Sequence, residues 1–247
     1  MSEFGVAQFT LRIGDGHLQA KAMIPAGPMA VDDIAVIAHG LADSMAVMAT
    51  KQAEAEGKAV SCKAGCGACC RQMAPVSEHE ARQLLRLVEA MPPQRIETLR
   101  TRFKEGIEKL RDAGIIEKVA NFAALPAVED RVNLGVEYFK VGVPCPFLED
   151  ESCSIYEHRP TRCREYVVTS DPKHCADPSP DTIHRIPVPM KPSNALFQFG
   201  DGGDNRRIVI LPLILALDWA AAQPAQPEPA LSGPQLLQNF LVELEKL

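Results

Sequence analysis

The sequence predicts a mainly α-helical fold with small β-hairpins, of the α+β class. Apolar residues recur at helical spacing through three long stretches between Ala30 and Gly114, whereas strict alternation is confined to short segments towards the two ends. The eight cysteines fall into two tight groups of four, and thiols so grouped can order loops that have no large core of their own. Helices wrapped around a cysteine-ligated metal site are therefore expected.

Residues 6–13 alternate, with Phe9, Leu11 and Ile13 on one face and Gln8, Thr10 and Arg12 on the other. Gly14-Asp15-Gly16 turns the chain towards residues 17–23, which predicts an N-terminal hairpin over 6–23. From Ala30 the period changes to helical, with Ile34, Ile37, Ala38, Leu41, Met45 and Met48 in one stripe, Asp32 and Asp33 near its start and Gly57 as a stop. His39 lies off that stripe and is expected in solvent.

Ser77-Glu-His-Glu80 is a capping-box pattern opening a helix whose apolar face is Ala81, Leu84, Leu85, Val88 and Met91. Pro92-Pro93 ends it, and Pro93 can begin another through Ile96, Leu99, Phe103, Ile107 and Leu110 to Gly114. A further helix is expected over residues 128–139, and no strand between the two cysteine groups. Beyond a Pro-rich stretch over 171–192, residues 195–199 and 206–211 flank Gly200-Asp-Gly-Gly-Asp-Asn205 and predict a second hairpin. The last helix begins near Pro234, and its stripe of Leu236, Leu237, Phe240, Leu241 and Leu244 must cover either its own core or a partner protein. The 247 residues are read as one domain, with a metal-binding core at about 58–190 and a C-terminal hairpin and helices over 195–247.

A formal net charge of −6 with no compensating basic tract argues against a nonspecific grip on nucleic acid. The first residues carry neither a positive segment nor an apolar run, and the longest apolar run, Ile208 to Leu217, is interrupted by Pro212 and too short to span a bilayer. A cytoplasmic, reducing location is the expectation.

In that setting grouped thiols read as metal ligands before disulfides. The first four are Cys62, Cys66, Cys69 and Cys70; the second four are Cys145, Cys153, Cys163 and Cys175. A bound metal lowers thiol pKa, so several sulfurs can stand as anions around one cation. Gly65 and Gly67 let the first loop fold tightly and turn its amides towards sulfur. The competing reading for each cysteine is an ordinary core residue, and it weighs more for the loosely spaced second group.

The second stretch reads Cys145-Pro-Phe-Leu, then Cys153-Ser-Ile-Tyr156, then Arg159-Pro160-Thr-Arg-Cys163-Arg164. Together with the loop ending in Cys69-Cys70, these elements closely resemble the YkgJ-like cysteine-cluster family, described as zinc- or iron-chelating domains and grouped with the flagellin lysine N-methylases. The resemblance spans Cys62 to Cys175 and implies a metal site. The family loop reads Cys-x-x-Cys-x-x-Cys-Cys, whereas three residues separate Cys62 from Cys66 here.

Structural zinc takes paired ligands from two knuckles, while iron–sulfur clusters favour a tight run of three cysteines and a remote one, often before proline. Cys62, Cys66 and Cys69 with remote Cys145-Pro146 match the second pattern, which favours an iron–sulfur cluster over zinc, in a structural or redox role. Arg71, Arg159, Arg162 and Arg164 could offset a cluster's charge or form surface pairs with Glu149, Asp150, Glu151 and Glu157. Tyr156 is expected to pack over the site; His174 could replace Cys175 as a ligand, and His158 and His184 are expected in solvent.

The alternative function is an S-adenosylmethionine-dependent enzyme, of the protein lysine N-methylase or the radical type. Cys62-x3-Cys66-x2-Cys69 has the radical-enzyme spacing, but Ala68 stands where that family carries an aromatic residue, and the strand-helix alternation of its barrel is missing. No cofactor loop marks a methyltransferase. Thiol exchange through Cys69-Cys70 lacks both the two-residue spacing and a thioredoxin-like pattern.

Overall fold

A computed structural model describes residues 3–14, 16–179, 181–200, 208–225 and 228–246. Strands β1 (Phe4–Ile13) and β2 (Gly16–Pro25) form the expected hairpin, in register from Phe4 with Pro25 to Ile13 with Gly16. Gly14 takes φ +56°, the left-handed conformation that reverses the chain. Alternation gives one face Leu11 and Ile24, both buried, and leaves Phe4, Val6 and Met23 exposed. Helix α1 (Ile34–Ala55) follows and buries Ile34, Ile37, Ala38, Leu41 and Met45. With its preceding 3-10 turn it is long and apolar enough to cross a membrane by length and composition, and half of its most apolar window is buried inside the fold.

Strand β3 (Pro75–Ser77) leads into α2 (Glu78–Glu89), which opens on the predicted capping box of Ser77 and Glu80. Pro93 then starts α3 (Pro93–Asp112), whose Leu99, Phe103, Ile107 and Leu110 are buried. Short α4 (Ile116–Ala120) precedes α5 (Val128–Val141), which ends where Gly142 turns left-handed at φ +72°. A two-residue-strand hairpin, β4 (Leu148–Glu149) with β5 (Ser152–Cys153), comes before α6 (Thr161–Glu165) and α7 (Pro172–Ala176).

Two sequence expectations fail beyond this point. Residues 195–198 lie in α8 (Pro192–Gln198), not in a strand, and the chain between cysteine groups does contain one strand. A short, mostly apolar segment fits either conformation; Pro192 presets helical φ at the first turn, and Ala195, Leu196 and Phe197 are all buried. The glycine-rich turn, at 201–207, lies outside the described residues. Strand β6 (Ile210–Pro212) pairs instead with β3, Val76 opposite Leu211. Helices α9 (Ala216–Ala221) and α10 (Gly233–Glu245) complete the chain.

Among the described residues two large apolar clusters result, with a small third of Met45, Ala49 and Val188. One gathers α2, α3, α5 and α9 around Leu99, Phe103, Leu110 and Phe147. The other gathers the N-terminal hairpin, α1, α8 and α10 around Leu11, Ile34, Leu196 and Phe240. The stripe of α10 is thus covered within the chain itself: Leu236, Leu237, Phe240 and Leu244 are buried, each contributing about 1.5–3 kcal/mol by leaving water. Gly233 lets α10 approach β2, because a Cβ there would collide with the Pro25 carbonyl oxygen. Polar bonds join the clusters. His79, buried, contacts Asp32 at 2.9 Å and the Phe199 carbonyl at 3.2 Å, while Arg86 reaches Asp32 at 3.2 Å and Asp33 at 3.0 Å.

Candidate metal centre

The first thiols lie on an irregular loop leading into a 3-10 turn, Ala68–Arg71, before β3. Gly65 is left-handed at φ +85°, as a sharp ligand loop requires. Gly67 serves differently. Its φ of −102° suits any residue, but a Cβ would lie 2.5 Å from the Glu151 carbonyl oxygen and nearer still to Leu148. The loop is therefore pressed against the β4–β5 turn. That turn is Asp150-Glu151, both with positive φ (46° and 58°), as a two-residue hairpin needs. Neither is glycine, so the turn holds on the order of 1–2 kcal/mol of strain per residue. Arg71 pairs with Glu151 at 3.0 Å, and Cys145 N–H donates to the Cys70 carbonyl at 2.6 Å, which fastens the early loop to the late one.

A second seam lies on the other side. Ser61 N–H donates to the Val168 carbonyl at 3.0 Å, and Val168 N–H donates to Cys62 Sγ at 3.3 Å. Gln72 Nε2 donates to the Tyr166 hydroxyl at 3.2 Å and to the Cys175 carbonyl at 3.5 Å. Between the seams is a cavity of about 700 Å³, and all eight cysteines line it. Tyr138, Phe147, Ile155 and Tyr156 supply its apolar wall. None of the eight is in a disulfide. The two groups, far apart in sequence, face one space.

Removal from water raises the thiol pKa values, since burial penalises the anion. It is the leading cause for Cys145, Cys153 and Cys163, and it pushes Cys175 up to about 11. Cys62 rises for the same reason although the residue keeps an exposed surface, and the Val168 amide partly opposes the rise. For Cys69 the neighbouring Cys70 thiol acts first and burial second, and both raise it. Without a cation these sulfurs stay protonated near neutral pH.

The basic residues divide. Arg71 and Arg162 make ordinary pairs, with Glu151 and with Glu165 and Asn194. Arg159 and Arg164 line the cavity. Arg164 bonds the Arg159 and Glu157 carbonyls and Asp43 of α1; Arg159 stacks on Tyr156 at 3.9 Å, and its Nε has no partner. Among histidines, His158 and His184 are exposed as expected, and His174 does not line the cavity. His39 departs from expectation: it is largely buried, its Nε2 3.4 Å from Glu80 Oε1 without hydrogen-bond alignment, because α1 packs that side towards α2. Glu80 itself is buried beneath the site. Its carboxylate accepts Ser77 N–H at 3.0 Å and Thr161 N–H at 2.7 Å, so it fixes the start of α6 two residues before Cys163. Burial alone would raise its pKa, but His39, Ser77 and Thr161 overcome this and hold it at about 2. Asp43, Gln72 and Tyr166 were not legible as site residues, having no local motif; only the tertiary fold brings them in.

The donors are of one chemical kind, and thiolates suit zinc and iron. Among the described residues no three His, Cys, Asp or Glu side chains stand close enough to hold a metal ion as placed; the sulfurs ring a space, not a point.

A largely helical α+β fold that gathers eight unpaired thiols around one cavity defines a cysteine-cluster protein. Residues 61–180 match the model of the CxxCxxCC family, whose description is "Putative zinc- or iron-chelating domain". That match takes in every cysteine and leaves the N-terminal hairpin, α1, α8, α9 and α10 outside it. No curated protein and no solved structure matches the chain.

Proposed function

We propose that this chain is a metal-binding protein that holds an iron–sulfur cluster, with zinc the second choice, through the thiolates lining its cavity. One observation carries the reading: eight unpaired cysteines from two distant groups line one cavity. Cys62, Cys66, Cys69 and Cys70 of the early loop, with Cys145, Cys153, Cys163 and Cys175, would supply the ligands. Iron is favoured by the run of close cysteines with remote Cys145 before Pro146. Bound there, a cluster would supply one-electron redox chemistry or simply cross-link the loops, with Arg159 and Arg164 offsetting its negative charge. A reducing compartment such as the cytoplasm suits eight unpaired thiols.

Metal and acid-labile sulfide analysis of the full chain, purified without air, tests this. Iron with equimolar sulfide and a brown chromophore is expected. Zinc without sulfide would reverse the choice of metal, and a chain that binds neither metal on reconstitution would refute the reading.

A further inference from the structure

A tetrahedral zinc ion or a four-iron cluster takes at most four cysteines, and this cavity offers eight. The bonds that position them fall into two sets that cut across the sequence groups. Cys62 and Cys175 belong to one seam: Cys62 Sγ is held by Val168 and faces the Tyr166 carbonyl at 3.7 Å, and Gln72 links the Tyr166 hydroxyl to the Cys175 carbonyl. Cys145 and Cys153 belong to the other. Cys145 is tied to the Cys70 carbonyl, and Cys153 pairs with Leu148, whose amide donates to the Cys145 carbonyl at 2.9 Å. The electrostatic neighbours sort the same way. Cys66 and Cys69 act on both Cys62 and Cys175, whereas Cys153 and Cys69 act on both Cys145 and Cys163. Cys69 is common to both, and Cys70 adjoins it in the chain.

We infer that the cavity holds two thiolate-ligated metal centres side by side, one on Cys62, Cys66 and Cys175, the other on Cys145, Cys153 and Cys163, each completed by one thiol of the adjacent Cys69–Cys70 pair. Vicinal side chains diverge from the backbone, which suits a pair that serves two centres. The late cysteine Cys175 therefore works with the early loop, and the sequence groups are not the ligand groups. This rests on the metal-binding reading above, and it replaces the ligand set of the early run with remote Cys145 by the two sets named here.

The test loads the reduced full-length chain with zinc(II) and then pulses it with iodoacetamide, mapping labelled cysteines by mass spectrometry. The wild type should take two equivalents and protect all eight thiols. Cys175→Ser should take one and expose Cys62 and Cys66, leaving Cys145, Cys153 and Cys163 protected; Cys163→Ser should give the reverse. Cys62→Ser, at the rim, reports on the first set if Cys175→Ser costs the fold. Exposure of Cys145 and Cys153 by Cys175→Ser, or a wild type saturating at one equivalent, would overturn the two-centre assignment while leaving metal binding intact. No zinc uptake, together with no iron or sulfide in the chain purified without air, would instead sink the metal-binding reading and this one with it.

Discussion

Gly67→Ala changes one hydrogen to a methyl group at the seam between the early loop and the β4–β5 turn. The new Cβ would stand 2.5 Å from the Glu151 carbonyl oxygen and 2.7 Å from its carbon, where ordinary contact begins at 3.4 Å. Loop and turn must separate by about 0.9 Å. Leu148 Cδ1, nearer still, can rotate away, but the two Glu151 atoms are backbone in a turn already held at positive φ, so a side-chain rotation alone cannot relieve the clash. Separation on that scale would break the Cys145 to Cys70 bond, now 2.6 Å, and loosen Arg71 from Glu151. Overpacking of this kind costs about 1–3 kcal/mol. If metal binds only the closed arrangement, that cost appears in affinity as a loss of roughly 5-fold to 140-fold, at about 1.4 kcal/mol per factor of ten. Urea unfolding of the apo chain and chelator competition of the loaded chain would measure the two effects. A variant that unfolds and binds as the wild type does would show that the loop is not pressed against the turn, and the description of the site would fail with it.

Glu80→Gln should destabilise the apo chain by about 1–3 kcal/mol, since its NH2 replaces one of the two accepting oxygens and faces either the Ser77 or the Thr161 donor. Because Glu80 is depressed from 4.5 to about 2, the wild-type contribution is full above pH 4.5 and lost as pH falls towards 2. It should be missing from the acid limb of the variant's stability curve; an unchanged limb would contradict the network. Gly135→Ala, mid-helix in α5 with nothing within 4 Å of the added methyl, should stabilise by about 0.5–1 kcal/mol in thermal unfolding, whereas Gly142→Ala at φ +72° should destabilise by about 1–2 kcal/mol. Equal effects would refute the assigned helix end. Metal affinity should climb with pH between 6 and 8, about tenfold per unit for each thiol proton displaced, because burial keeps Cys163 and Cys175 protonated in the apo chain. Flat affinity in a chromophoric-chelator competition would exclude thiolate ligation by these residues.

The long helices and the N-terminal hairpin were legible because their signals are local. The Ile34 to Met45 stripe, the Ser77–Glu80 box and the alternation around Leu11 each fit one conformation only. The short apolar run at Ala195–Phe199 fits two, and burial on the α1–α10 cluster decided it. Strands β3 and β6 each carry a proline and owe their pairing to each other, so neither segment alone announces a strand. Asp150-Glu151 is not a sequence that advertises a left-handed turn, which hid the β4–β5 hairpin. The cysteines were visible as a set, but the bonds around them were not: nothing in the spacing announces that Gln72 links the Tyr166 hydroxyl to the Cys175 carbonyl.

The pairing of Val76 with Leu211 closes the chain just after the first thiols, using residues made long after them. On the ribosome, where synthesis runs at about 5–20 residues per second and earlier segments emerge first, the Cys62–Cys70 loop is in solution while β6 is still unmade. Nascent chains must wait with naked sulfhydryls for their closing strand. Completion of the fold around these thiols is then a late event of biogenesis, and a truncation before Ile210 would yield a chain that displays its thiols without the β6 strand behind them.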